Sequence, residues 1–254
     1  MSITVHYEWL VAFLLVLARA LGWLAVVPPF SGRQSVPPAA TMAIGTGLAI
    51  LVAPTVPASM VPLTTAGLIG GLVLGVTTGV AMGFVISILI ATATTAGSFL
   101  DLSGGLNLPP SLDPLSLDQT SMLGQFYEQI AIVLLFVSGG YMYLIEAFAR
   151  SFQTPGFTLG STSRIAETVV LDLATMFTSA LEMTAPILVV LFAAQILLAL
   201  LTKAAPQMNV WILGLPMQIF LAIVLVAIGV TVLPAYVGQL LTRALGDTVH
   251  LFGG

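Results

Sequence analysis

Charge is the scarcest feature of this 254-residue chain. Six basic and ten acidic side chains amount to 6% of it, against the ~25% usual in soluble domains. So thin a charged shell cannot cover a water-soluble fold of this size. The net charge is −4, and no cluster of Lys or Arg is available to neutralise phosphates, so no nucleic-acid partner is expected. Cysteine is absent, which removes disulfides, thiol nucleophiles and thiolate metal ligands. The two histidines, His6 and His250, lie near opposite ends of the chain, so no HExxH-type metal motif exists. No Lys or Arg precedes Arg19; the positive n-region of a cleaved signal peptide is missing, and the first apolar stretch is expected to stay in the mature protein.

Enzyme signatures are equally scarce. Ser103-Gly104-Gly105 is not the GxSxG elbow. Ala244-Leu245-Gly246-Asp247 lacks the first glycine of the GxGD pattern, and there is no Walker A sequence. Catalysis is not expected, and neither a cofactor nor a metal ion is called for.

Apolar side chains make up 58% of the residues and the mean hydropathy is +1.11, which excludes disorder. Nothing is charged between Arg33 and Asp101, Glu128 and Glu146, Glu182 and Lys203, or Lys203 and Arg243. Proline and glycine subdivide these intervals. The pattern predicts an all-α, multi-helix integral membrane-type protein. About six apolar helices are expected, near 9–27, 39–53, 66–97, 123–149, 176–202 and 210–241, in a single domain over 1–254. A polar stretch from Ser151 to Asp172 and a short turn from Lys203 to Asn209 separate the later ones. A membrane barrel would need many alternating segments, which are missing.

Two lengths are odd for bilayer helices. The 39–53 segment spans ~22 Å and the 66–97 segment ~48 Å at 1.5 Å per residue, against ~30 Å of hydrocarbon. Pro186, Pro216 and Pro234 are expected to kink or break the last two segments. Basic residues in alternate loops show no bias that sets an orientation.

Three patterns stand out. Gly67, Gly71, Gly75, Gly79 and Gly83 recur every fourth residue, continued by Ser87 and Ala91. Each glycine in a helix interior costs ~1 kcal/mol relative to alanine. Five in register therefore predict a close helix-packing interface, with a neighbouring helix of this chain or of another. Arg19 stands in the middle of the first apolar segment as a buried charge. Asp101, Glu146 and Glu182 are the carboxylates it could pair with; a hydrated cavity or a transport site are the alternatives. The third pattern is DLSGGLNLPPSLDPLSLD, from Asp101 to Asp118. Leu106, Leu108, Leu112, Leu115 and Leu117 keep it apolar, while Pro109, Pro110 and Pro114 exclude continuous helix. It can be a solvated turn, with aspartates such as Asp113 capping helices, or a re-entrant or pore-lining loop. A metal site there lacks partner chemistry.

Several segments together resemble the flagellar FliR family, whose virulence counterpart is SctT. They are Arg19 with Val27-Pro28-Pro29-Phe30-Ser31 and Val36-Pro37, then Ala96-Gly97-Ser98-Phe99-Leu100-Asp101. The most specific is Ala204-Ala205-Pro206-Gln207-Met208-Asn209-Val210, followed by Leu213-Gly214-Leu215-Pro216. The chain departs at Pro38-Ala39-Ala40-Thr41, which is neutral where basic residues often follow in the family. The resemblance implies a non-enzymatic core subunit of the type III protein export gate, in the bacterial inner membrane at the flagellar basal body. Its helical hairpins would pack into a larger helical assembly with FliP-like, FliQ-like and FlhB-like subunits, in contact with membrane lipid. Unfolded export substrates would pass through the channel they form. In that setting the loop of Leu106, Leu108, Pro109, Pro110, Leu112, Asp113, Pro114, Leu115 and Leu117 is expected to plug the closed pore, since hydrophobic constrictions close by dewetting. A virulence-type export subunit or a small stand-alone secondary transporter, using Arg19 and Glu182, are the alternative readings.

Overall fold

The computed structural model describes residues 7–28, 30–31, 36–57, 64–106, 121–152, 162–205 and 210–239, with side chains described outside 162–169, 172 and 210–213. Every regular element among them is helical. In order these are α1 (Tyr7–Leu24), α2 (Pro38–Val52) with a 3₁₀ turn at Ala53–Thr55, α3 (Thr65–Gly104), α4 (Met122–Val137) and α5 (Gly140–Arg150). They are followed by α6 (Thr162–Ala204), α7 (Val210–Gly229) and a short α8 (Leu233–Gln239). Among the described residues, four helices are long and apolar enough to cross a membrane, or up to six spans if each broken pair, α4 with α5 and α7 with α8, counts as one.

Local chemistry sets the starts and stops. Pro37 and Pro38 open α2, where a missing N–H is harmless. Thr64 caps α3 by accepting the Gly67 N–H at 3.2 Å. Ser121 caps α4 in the same way, accepting the Gly124 N–H at 2.8 Å. At the far end of α3, Gly105 is left-handed (φ 74°) and the Leu106 N–H returns to the Asp101 carbonyl at 3.1 Å, a Schellman closure.

Four boundaries differ from expectation. Helix α3 runs on from 97 to Gly104, because Asp101 sits inside it rather than ending it. The predicted 123–149 helix is two helices, broken at Gly139 with φ 74°. Residues 162–172, read as a polar connector, are the first turns of α6. The predicted 210–241 helix turns by 59° between Gly214–Gly229 and Leu233–Gln239, with Pro234 in the opening turn of α8. Helices α6 and α7 continue through Pro186 and Pro216. The plug-loop residues from Leu108 to Leu117 lie outside the described residues, as do Asp118 and Pro206–Asn209.

The chain forms two compact units. One comprises Met1–Leu89, Gly139–Asp172 and Leu241–Gly254; the other comprises Ile90–Ser138 and Leu173–Leu240. The first is organised around α1, whose Val16 and Ala20 have no exposure. In the second, Leu100, Ala131, Leu191 and Ala222 are fully enclosed. Hydroxyls inside apolar helices are satisfied within their own turn, as Thr78 on the Leu74 carbonyl (2.8 Å) and Thr184 on the Ala180 carbonyl (2.8 Å).

Gly139 gives a direct test of the α4–α5 break. Its Cβ position is open, so only the positive φ opposes substitution. Gly139→Ala is expected to lower stability by ~1–2 kcal/mol, and Gly139→Asn by clearly less, because Asn visits the left-handed region. Thermal unfolding in detergent-solubilised membranes measures both.

Candidate functional site: glycine ladder, anchored arginine and buried aspartate

In the first unit the glycines of α3 lie against the backbone of α1. A Cβ added at Gly75 would sit 3.3 Å from the Leu15 carbonyl oxygen. One at Gly79 would overlap the Arg19 carbonyl oxygen and lie 2.9 Å from the Trp23 nitrogen. One at Gly83 would be 2.8 Å from the Trp23 carbonyl oxygen. The contact is reciprocal: a Cβ on Gly22 of α1 would meet the Val76 carbonyl oxygen at 2.7 Å. Both helices advance by four residues per rung, so they run parallel along this contact. Gly71 faces only the end of the Leu15 side chain, at 2.8 Å. Gly67 lies in the first turn of α3, where it donates to Thr64. Past the last glycine, Ser87 Oγ donates to the Val26 carbonyl (2.8 Å) as well as to Gly83 (2.9 Å). The ladder thus joins two helices of one chain over its Gly75–Gly83 rungs.

Arg19 uses its backbone on Gly79 and its side chain on the end of α5. Nη1 donates to the Ser151 carbonyl (2.8 Å) and to Ser151 Oγ (2.9 Å). The guanidinium carbon lies 3.9 Å above the centre of the Phe152 ring. Ser151 is the C-cap of α5, so the cation meets the partly negative end of a helix and an aromatic face. Ser151 Oγ can accept from Arg19 because its own proton goes to the Phe148 carbonyl (2.7 Å). Trp23, one turn further along α1, stacks on Phe148 at 5.4 Å, and Phe148 meets Phe152 edge-on at 5.6 Å. Arg19 Nε and Trp23 Nε1 are buried without partners among the described residues.

Among the described residues, Arg19 makes no ion pair. Glu146 forms the ion pair with Arg150 at 2.6 Å, on the exposed face of α5. Glu182 is exposed on α6. Asp101 is committed elsewhere, to the start of α4. Neutral acceptors and a ring take the place of a counter-ion.

In the second unit Asp101 has no exposure. Its Oδ2 accepts from Ser121 Oγ and from the Leu123 N–H, the latter at 3.0 Å. It therefore sits at the positive end of α4. Glycine makes this approach possible: a Cβ on Gly97 would overlap the Leu123 carbonyl oxygen and lie 2.6 Å from the Gly124 nitrogen. Asp101 Oδ1 is buried without a partner among the described residues. Two residues further along α3, the Ser103 carbonyl accepts from Gln195 Nε2 of α6 (2.9 Å) and from Gln218 Nε2 of α7 (2.7 Å). Among the described residues there is no group of three or more His, Cys, Asp or Glu that could hold a metal ion.

Sequence reasoning did not single out Gly22, Ser151, Phe152, Gly124, Gln195 or Gln218. For the glutamines a signal existed: each is a lone amide in a long apolar helix, where polar side chains commonly bond across helices. For Ser151 and Phe152 none existed, because a backbone carbonyl and a ring face have no charge signature.

Comparison with known proteins places these features in a wider setting. Residues 10–244 match the family model described as bacterial export proteins, family 1. The chain is similar to the flagellar biosynthetic protein FliR of Escherichia coli K12, with 26% identity over 223 residues that cover 87% of this chain and 84% of that protein. It is similar to FliR of Bacillus subtilis, 25% identical over 235 residues, 87% of each chain. It is also similar to the surface presentation of antigens protein SpaR of Shigella flexneri, 28% identical over 145 residues, 57% of this chain and 56% of that one.

Two pairs of substitutions test the ladder and the anchor. Gly79→Ala should destabilise by ~1–3 kcal/mol, since backbone on the facing helix has to move. Gly70→Ala, on the open side of α3, should be neutral or stabilise by up to ~1 kcal/mol. At the anchor, Arg19→Gln retains a donor for Ser151 and should lose less folded protein than Arg19→Glu, which turns a carboxylate toward the α5 carbonyls. Yield and melting of the co-expressed complex separate the members of each pair.

Proposed function

The chain belongs to family 1 of the bacterial export proteins, and from that premise we propose that it is a core subunit of the flagellar type III protein export apparatus. The extent of similarity supports the flagellar assignment. Flagellar relatives match over most of their length, 84% and 87% in the two named above. The virulence relative SpaR matches over 56% of its length. A virulence-type export subunit is the second reading, and it shares the same family.

One structural observation carries the assembly part of this proposal. Within Leu173–Ala204, α6 exposes large apolar side chains on most of its circumference, among them Phe177, Val189, Phe192, Leu197 and Leu201. Only 17% of the most apolar window of α6 is buried within the chain, against 56% for α3. So extensive an uncovered apolar surface marks an interaction site, and apolar helices of FliP-like, FliQ-like and FlhB-like subunits are the partners proposed. The assembly would sit in the inner membrane and pass unfolded flagellar proteins. Its work is conformational; no chemistry on the substrate is assigned to this chain. Arg19 rests on Ser151 and Phe152, neutral groups of its own unit.

Within that channel we assign closure to the segment of Leu106, Leu108, Leu112, Leu115 and Leu117, with Pro109, Pro110 and Pro114 keeping it from forming helix. Deleting Leu106–Leu117 in cells expressing the whole apparatus should raise resting small-ion conductance and slow growth, with the complex still recovered. Unchanged conductance in an intact complex would leave the segment a connector. Expressed alone, the chain should aggregate or be degraded, and co-expression with FliP-like and FliQ-like chains should rescue it; a long-lived solitary monomer in mild detergent would count against the assembly.

A further inference from the structure

Glu182 is the only charged residue between Asp172 and Lys203. It is exposed on α6, and among the described residues it has neither an ion pair nor a hydrogen bond. One turn back, the Thr178 hydroxyl gives its proton to its own helix, to the Ala174 and Thr175 carbonyls (3.3 and 3.0 Å). The side of α6 that the second unit covers lies around the helix from Glu182, at Ala180, Met183, Thr184, Ile187 and Leu191. Towards the start of the segment, Leu173, Phe177 and Leu181 recur every fourth residue, and each is exposed. Thr178 neighbours both Leu181 and Glu182, three and four residues on. An apolar stripe and a lone carboxylate thus border one surface.

Lipid cannot suit both. The twenty residues from Met183 to Thr202 carry no charge, and at 1.5 Å per residue they fill ~30 Å of hydrocarbon by themselves. With that stretch in the bilayer, Glu182 reaches the headgroups. Leu173 then stands ~14 Å further along the helix, past a headgroup layer of ~5–8 Å, and the apolar stripe runs into water. Sliding the helix the other way puts Leu173, Phe177 and Leu181 in hydrocarbon but carries the carboxylate in with them, unpaired, which is strongly unfavourable. Lys203 is no remedy, since it lies ~31 Å away along the same helix. A protein surface that is apolar and carries one cation satisfies both features.

We propose that residues 173–182 of α6 are a docking surface for a helix of another subunit. That helix lays apolar side chains on Leu173, Phe177 and Leu181 and brings one Lys or Arg to Glu182. The cation makes the contact selective: the stripe alone would accept any apolar helix, whereas a carboxylate covered without a partner charge rejects it. This deepens the assembly reading given above and rests on it.

The experiment uses the chain co-expressed with its companion export subunits. A photoactivatable phenylalanine analogue at Phe177 should cross-link to a companion, with a Lys or Arg within two turns of the linked residue. Glu182→Lys should speed loss of that companion by at least ~30-fold, and Glu182→Gln by less. The chain itself should stay at its wild-type level in membranes, because Glu182 makes no bond within its own unit. Changing the companion's cation to Glu should restore its retention by Glu182→Lys. Cross-links confined to lipid or to this chain would overturn the docking surface. Wild-type retention in Glu182→Lys, or no rescue by the reciprocal change, would overturn the charge match. In each of those cases, companions recovered with the wild type leave the assembly reading standing. If the wild type retains no companion, both fall.

Discussion

Two helices can bring their backbones together only where side chains are missing, and the contact between α1 and α3 shows how much follows from that. On the Gly79 rung the α1 backbone occupies the space a single methyl group would need. In lipid or in a protein-packed apolar assembly, burial against another hydrocarbon gives little net drive, so close packing and hydrogen bonds must supply the specificity. Placing Arg19 and Trp23 on the ladder also decides where their side chains can go. Both are steered onto the aromatic cluster at the end of α5, and α5 is thereby tied to α1.

The two units use the same device for different ends. On the first, glycine clears room for a long parallel seam. On the second, Gly97 and Gly124 clear room for a single crossing, at which a buried carboxylate meets the start of a helix. Among the described residues, each unit holds an ionisable side chain bonded to neutral groups at a helix end: Arg19 at the C-terminus of α5 and Asp101 at the N-terminus of α4. Helix dipoles of opposite sign stand in for counter-ions.

The existence of most helices could be read from uncharged apolar runs, and the glycine repeat pointed to close packing before any partner was known. What escaped was governed by groups with no side-chain signature. The partner of Arg19 is a carbonyl, a hydroxyl and a ring, so a search among carboxylates was bound to pass over Ser151 and Phe152. Asp101 looked like the end of a span because charge marks span ends in a bilayer; inside protein its carboxylate caps the start of α4, and α3 continues to Gly104. The opening of α6 at 162–172 was missed because its composition is polar, although a helix that leaves hydrocarbon has no need to be apolar. Ser138-Gly139-Gly140 did signal the break between α4 and α5, but the uncharged interval around it reads as one helix.

A ladder with identical rungs does not define its own alignment. Sliding α3 by one rung along α1, ~6 Å at 1.5 Å per residue, would lay glycine on backbone again and leave the seam nearly unchanged. Degeneracy of this kind has to be broken by something that does not repeat. Ser87 is one such key: after a slide its place opposite the Val26 carbonyl would pass to Gly83 or Ala91, neither of which has a hydroxyl. Arg19 is the other, since its reach to Ser151 fixes α1 against an element outside the ladder. Two polar side chains thus act as the index marks of an otherwise uniform scale.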